Sequence, residues 1–144
     1  MSAVEPLCRL LGVNIFTLTK EESTLLEAEL FIRICDELKE KFREQLRNYF
    51  RLMKFTIKKE NEMLEANFVR FIIKDIISTD EYDLLGVACY TDTHEDVIRE
   101  VISGRNTNPS AKLLRKSISL HRSVRRDLYC AIMKKIFAEH LITA

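Results

Sequence analysis

Glycine and proline are scarce in this chain, which has three glycines and two prolines among 144 residues. Strand-rich folds need many tight turns, and these two residues are among those that favour such turns most. Their scarcity therefore predicts long helices and an all-α fold. The three glycines are also isolated, so the sequence contains no glycine-rich loop of the kind that binds phosphates.

Long apolar runs are missing as well. No stretch reaches the roughly 18 uncharged apolar residues that a membrane span requires, and the N-terminus lacks the basic region and unbroken apolar core of a signal peptide. The four cysteines form no Cys-x-x-Cys pair and lie among apolar neighbours, which favours reduced thiols over disulfides. These features predict a cytoplasmic protein that makes no use of a membrane.

No arrangement typical of catalysis or of metal binding stands out. His94, Glu95 and Asp96 are adjacent, but a metal site would need a further matched pair of ligands, and acids in a first helical turn are explained by capping. Cys89 with His94 or His121 would make a nucleophile and its base only if the fold brought them together, and nothing in the sequence indicates that. We therefore expect a protein that is not an enzyme and that uses no cofactor or metal.

The net charge of +1 hides a strong asymmetry. Residues 79–103 contain seven acids and one base, a sum of −6, whereas residues 105–135 contain nine bases and one acid, a sum of +8. Such a division of charge indicates what the protein binds and says little about its fold. Within the basic part, Arg122, Arg125 and Arg126 form either a phosphate clamp or a solvated face at the start of the last helix.

Apolar residues at helical spacing predict a long amphipathic helix from residue 21 to about residue 58. Such a helix would be ~50 Å long, which exceeds the width of a small domain. Either it breaks near residues 56–61, or a second copy of the chain covers its end, and we favour a homodimer. We accordingly divide the chain into an N-terminal helical region, residues 1–60, which dimerises, and a second domain, residues 61–144.

Residues 87–120 predict three short helices with two tight connections. The first ends near Tyr90, the second runs from about His94 to Ser103, and the third starts at Ser110. A helix, a short turn and a second helix that glycine ends are typical of a helix–turn–helix motif, which can place one helix against a DNA groove.

Local chemistry marks both ends of the middle helix. Thr93 is its expected N-cap, with Asp96 three positions later to complete a capping box. Gly104 is the expected left-handed residue at its end. Asn108-Pro109-Ser110 then forms a turn that becomes the start of the next helix.

These residues resemble the lambda-repressor-like (Cro-type) helix–turn–helix family over about residues 64–138. That family has a Leu-Ala pair, a buried Ile and another apolar residue in the second motif helix, a Gly at its end, and then Pro-Ser and a Lys. The residues at these positions are Val87-Ala88, Ile98, Val101, Gly104, Pro109-Ser110 and Lys116. The resemblance implies a helical DNA-binding domain whose second motif helix enters the major groove.

The resemblance further implies a bacterial transcription regulator that binds double-stranded DNA. It places His94, Glu95 and Arg99 nearest the bases, and it places Arg105, Lys112, Arg115 and Lys116 at the phosphates. We take these seven residues as the predicted DNA contacts.

The second motif helix is acidic, because Glu95, Asp96 and Glu100 occupy its reading positions. Acids can accept hydrogen bonds from cytosine, but they repel phosphates. A second interpretation is therefore a protein-interaction module, an adaptor or inhibitor whose acidic helix docks on a basic partner. Tyr82-Asp83 and Gly86 also depart from the family, which has a phosphate-contacting polar residue at the first position and a better helix former at the second.

Overall fold

The computed structural model describes residues 18–143, and their side chains as far as residue 139. This part of the chain forms eight helices and no strand, so the predicted all-α fold is confirmed. The helices are α1 (Lys20–Gln45), α2 (Arg47–Met53), α3 (Ile57–Ala66), α4 (Phe68–Ser78), α5 (Leu84–Thr91), α6 (Glu95–Ile102), α7 (Ala111–Val124) and α8 (Arg126–Thr143). None of these described helices combines the length and the apolar character that crossing a bilayer would take.

The chain divides into two compact units. Among the described residues, one unit comprises 18–40 and 127–143, and the other comprises 41–126. The unit boundaries thus fall within α1 and at the start of α8, rather than at residue 60, where the sequence suggested a division. The role of residues 1–60 in dimerisation stays a prediction.

The described part of the first unit contains α1 as far as Glu40 and α8 from Asp127. Thr19 and Glu22 form a capping box at the start of α1, with hydrogen bonds of 3.1 and 3.3 Å between side chain and backbone N–H. Each helix buries an apolar stripe, made of Leu30, Ile34 and Leu38 on α1 and of Tyr129, Ile132 and Ile136 on α8. The Lys135 ammonium donates to the Glu37 carboxylate at 2.8 Å, and this hydrogen bond raises the pKa of Lys135.

The predicted helix over residues 21–58 is wrong in its length. α1 ends at Gln45, and Leu46, with φ −97° and ψ 6°, separates it from α2. A second break follows at Lys54, whose φ of 55° ends α2, and the Thr56 side chain then caps α3. Because no helix of ~50 Å exists in this segment, helix length no longer calls for a second copy of the chain.

In the second unit, α4 packs against both α6 and α7. Ile72, Ile73 and Ile76 of α4 are fully buried, and each contributes about 1.5–3 kcal/mol through the apolar surface it removes from water. The end of α1 covers one side of this core, since the rings of Phe42 and Phe71 lie 5.5 Å apart. α5 also packs against α6 and α7, which completes the support of the motif.

The segment from α5 to α7 has the predicted order of helix, short turn, helix, loop and helix. Asp83 caps α5 by accepting from the Gly86 N–H at 2.7 Å, and a Cβ on Gly86 would lie 3.2 Å from the same carboxylate oxygen. The glycine that departs from the family pattern thus leaves room for this cap. Gly104 has a φ of 81°, as predicted, and Ser110 caps α7 through the Leu113 N–H.

The cysteines that the structure describes form no disulfide. Cys35 is buried on α1, whereas Cys89 and Cys130 are exposed. Cys8, the fourth cysteine, lies outside the described residues.

Candidate nucleic-acid interface

α6 buries its apolar side and exposes its charged side. Ile98 and Val101 are 0% and 1% exposed and seat the helix against α4 and α5. They are three positions apart, which puts them on the same side of the helix. Asp96, Arg99 and Glu100 lie on the other side and are exposed. The helix therefore presents to solvent the side chains that a reading helix would use.

His94, and not Thr93, caps the start of α6. Its Nδ1 accepts from the Asp96 N–H at 3.1 Å. The Thr93 hydroxyl instead donates to the Thr91 carbonyl at 3.1 Å, so it is held by the preceding turn. The predicted capping box is therefore wrong. The cap places the His94 side chain, 75% exposed, at the N-terminal end of α6.

Two of the residues predicted to lie nearest the bases are paired with each other. Arg99 donates to the Glu95 carboxylate at 2.5 Å, one helical turn away. The Arg99 side chain is 59% exposed, so the pair is worth only about 0.3–0.5 kcal/mol. Arg99 can therefore exchange this carboxylate for another acceptor at little cost.

A cation lies at each end of α6. Lys112 Nζ is 3.3 Å from Asp92 Oδ2, which places it at the turn before α6. Arg105 Nε donates to the Ser103 hydroxyl at 3.1 Å, which places it just after the helix. Both cations are exposed, so they flank the acidic helix, as contacts to phosphates on either side of a groove would require.

Lys112, Arg115 and Lys116 form an exposed basic stripe along α7. Their spacing of three and four residues gives them a common side of the helix. Arg115 and Lys116 have no ion pair or hydrogen bond to any side chain among residues 18–139. The structure thus brings the predicted phosphate contacts of α7 together on one surface.

A hydrogen bond that the sequence analysis missed connects α5 to the basic stripe. The Tyr90 hydroxyl lies 3.1 Å from the Ser119 hydroxyl, which is one turn after Lys116. Helical spacing from Lys112 could have placed Ser119 on the same side of α7. It could not have revealed the contact with Tyr90, because the two residues are 29 positions apart in the sequence. Tyr90 and Ser119 thereby become candidates for further contacts beside the stripe.

The two exposed surfaces carry opposite charges. The acidic face of α6, made of Glu95, Asp96, Arg99 and Glu100, has three acids and one base and a net charge of −2. The basic stripe carries +3 and meets this acidic region through the contact of Lys112 with Asp92. The basic stripe would attract phosphates, and the neighbouring acidic face would repel them.

Behind the basic stripe, α7 carries the buried His121, which pairs with the half-buried Asp75. His121 is 0% exposed, and its Nε2 lies 2.6 Å from Asp75 Oδ2 of α4. Burial lowers the pKa of His121, and the hydrogen bond to Asp75 opposes this effect. Arg125 Nε lies 3.6 Å from the same carboxylate oxygen, so this arginine pairs with α4. The pair links the helix that bears the stripe to the core.

Within residues 18–139, no three His, Cys, Asp or Glu side chains gather as they would around a metal ion. No model of a known protein family, no curated protein and no solved structure matches the chain. What the protein does therefore has to follow from its own residues.

Proposed function

We propose that the protein is a bacterial DNA-binding transcription regulator of the repressor-like helix–turn–helix type. The main observation in favour of this proposal is that α6 exposes its charged side between two cations, Lys112 and Arg105. With α6 in the major groove, these cations reach the phosphates that border it. Such a protein acts in the cytoplasm, and its function needs neither catalysis nor a cofactor.

Three residues of the α6 region would lie nearest the bases. His94 exposes its ring at the N-terminus of the helix, where reading helices make their first contacts. Arg99, released from Glu95, can donate two hydrogen bonds to guanine, and Glu95 can then accept from cytosine. The pair would thus read bases only after it separates.

Arg105 and the basic stripe would hold the phosphates. Each phosphate that a cation neutralises releases counterions, so the logarithm of the binding constant falls with the logarithm of salt concentration by about 0.9 per contact. The four cations therefore predict a slope of about −3.6.

A salt series tests the proposal. Binding of the whole protein to a pool of mixed-sequence duplexes is measured by fluorescence anisotropy from ~50 to ~300 mM salt. Steep salt dependence supports the proposal, and selection from the pool would then give the preferred site. Absence of any binding at ~50 mM salt would overturn it.

Homodimerisation belongs to this proposal, because repressor-type proteins bind two half-sites about 34 Å apart as symmetric dimers. Leu52 and Ile57, which are 80% and 73% exposed, and the neighbouring Met53 offer apolar surface that a second copy can cover. Sedimentation of the wild type and of a Leu52→Lys/Ile57→Lys variant tests this part. A monomeric wild type at micromolar concentration would remove it.

The net charge of −2 on the acidic face favours a second candidate function, a protein-interaction module whose α6 docks on a basic partner. The double variant Asp96→Lys/Glu100→Lys separates the two. DNA affinity should rise about tenfold under the first proposal, because two repulsive charges become attractive. If the protein is an interaction module, the variant should bind a lysine-rich peptide more weakly than the wild type does. Equal binding of the peptide by both would eliminate that candidate.

A further inference from the structure

A second concave site lies away from the helix–turn–helix residues, where α1 ends and α2 and α3 follow. The pocket has a volume of about 320 Å³, within the range of sites that bind small molecules. Among its lining residues are Arg43, Arg47, Arg51, Lys54, Phe55 and Glu60. Four cations therefore share one small pocket with one acid.

One of these cations is neutralised inside the pocket. Nη1 of Arg43 donates to the Glu60 carboxylate at 2.7 Å, and Nη2 donates to the side-chain oxygen of Asn61. These bonds hold the Arg43 guanidinium in place. They also occupy Glu60, the one acid among the lining residues that the structure describes.

Arg47, Arg51 and Lys54 have no side-chain hydrogen bond or ion pair with any residue between 18 and 139. All three side chains are exposed, so packing in the core does not account for their presence here. Arg47 and Arg51 lie one turn apart on α2, and Lys54 follows the last residue of that helix, three positions after Arg51. Like charges around one concavity repel one another, and an anion would relieve that repulsion.

The backbone at Lys54 marks where α2 ends at the edge of the pocket. Lys54 ends α2 in the left-handed conformation, with a φ of 55°. Glycine or asparagine takes that conformation with less strain. The charge of Lys54 also lies at the C-terminal end of α2, where the helix dipole favours a cation.

An aromatic wall adds a second kind of contact. The rings of Phe50 and Phe55 are stacked with centroids 5.7 Å apart, and Phe55 is only half-buried. Guanidinium groups beside an aromatic ring suit a phosphate that is attached to a flat heterocycle.

We propose that this pocket binds a nucleoside phosphate, with its phosphate on Arg47, Arg51 and Lys54 and its base against Phe55. The proposal goes beyond DNA binding and does not depend on it. If the protein is a regulator, the pocket supplies a site for a small effector.

Calorimetric titration of the whole protein with adenosine monophosphate, adenosine and inorganic phosphate tests the proposal at ~150 mM salt. The monophosphate should saturate one site, and both fragments should bind at least about tenfold more weakly, because each lacks half of the contacts. Arg47→Gln/Arg51→Gln should lower the affinity at least about tenfold. The control Lys58→Gln/Lys59→Gln removes the same charge from exposed lysines outside the pocket and should have no effect. Circular dichroism of both variants checks that they fold.

No saturable binding of the monophosphate up to about 1 mM would overturn the proposal. Equal losses in the two double variants would also overturn it, since they would show general attraction by positive charge. Displacement of the monophosphate by duplex DNA, together with weaker DNA binding by Arg47→Gln/Arg51→Gln, would assign the pocket to strand phosphates instead of a free nucleotide. Nucleotide binding without DNA binding would leave this site standing and remove the proposed function.

Discussion

α6 and α7 differ on both of their sides. Outward, α6 is acidic and α7 carries the basic stripe; inward, α6 buries only apolar residues, whereas α7 buries Ser117 and His121 among its apolar ones. The inner sides hold the two helices to the same core, and the outer sides are the ones that would contact DNA under the proposed function. Changes to one side should therefore leave the property that the other side controls nearly untouched.

The largest expected effect is on the inner side of α6. Ile98→Ala should lower the free energy of unfolding by about 3 kcal/mol, because Ile98 is fully buried and the smaller side chain leaves a cavity. Urea denaturation measures the change. Glu100→Ala, on the outer side, should stay within about 0.5 kcal/mol of the wild type. Similar losses in the two variants would show that the sides are not separable.

The outer side of α7 should control DNA affinity. Replacing Lys112, Arg115 and Lys116 by glutamine should weaken duplex binding about a hundredfold at ~100 mM salt and bring the salt slope about 2.7 closer to zero, with stability nearly unchanged. Anisotropy titrations measure both quantities.

A matched triple variant removes the same charge from exposed lysines outside the motif, namely Lys41, Lys58 and Lys59. It should retain most of the affinity of the wild type. If it loses as much as the variant of the basic stripe, net charge rather than the placement of charge governs binding.

The inner side of α7 should make stability depend on pH. Burial lowers the pKa of His121 below its ordinary value of 6.5, so the unfolded chain takes up a proton there before the folded one does. The resulting stability is fully present above pH 6.5 and is lost as pH falls from there through the lowered pKa of the folded state. Asp75 and Arg125, the charged groups facing the ring, act in opposite directions on this pKa.

Urea denaturation at about pH 7.5 and about pH 5.5 tests this linkage. His121→Gln should cost about 2 kcal/mol at the higher pH, because it disturbs the hydrogen bond of the buried ring to Asp75, and should show a weaker decline toward the lower pH. His94→Gln, altered at an exposed ring, is the control and should decline as the wild type does. If His121→Gln loses as much stability toward the lower pH as the wild type does, His121 is not the source of the pH dependence.

The sequence predicted those parts of the fold that local chemistry determines. Gly104 and Ser110 end one helix and start the next as expected, since a left-handed residue and a capping hydroxyl act within a few positions. The break at Leu46 was not predictable in this way, because leucine is a good helix former and carries no local signal that ends a helix.

The candidate site divides in the same manner. The order of the motif helices and the outward side of α6 followed from spacing, but the pairing of Lys112 with Asp92 joins residues 20 positions apart and needed the structure. The sequence could have indicated the pocket cations, since Arg47, Arg51 and Lys54 follow one another at helical spacing. What a spacing cannot show is that the three have no acidic partner among residues 18–139, because such partners depend on the tertiary fold.

The smallest expected effect lies where the two surfaces meet. Asp92 and Lys112 are 87% and 54% exposed, so a double-mutant cycle should give a coupling below about 0.5 kcal/mol in stability. Asp92 is left-handed, with a φ of 51°, and asparagine tolerates that conformation, so Asp92→Asn changes charge without straining the turn. DNA affinity should then rise about threefold, because a repulsive charge is removed and Lys112 is released to a phosphate. In a Lys112→Gln background the rise should be smaller, since only the repulsion remains to be removed. An equal rise in both backgrounds would show that Asp92 acts on DNA directly and that its pairing with Lys112 has no part in the balance between the acidic face and the basic stripe.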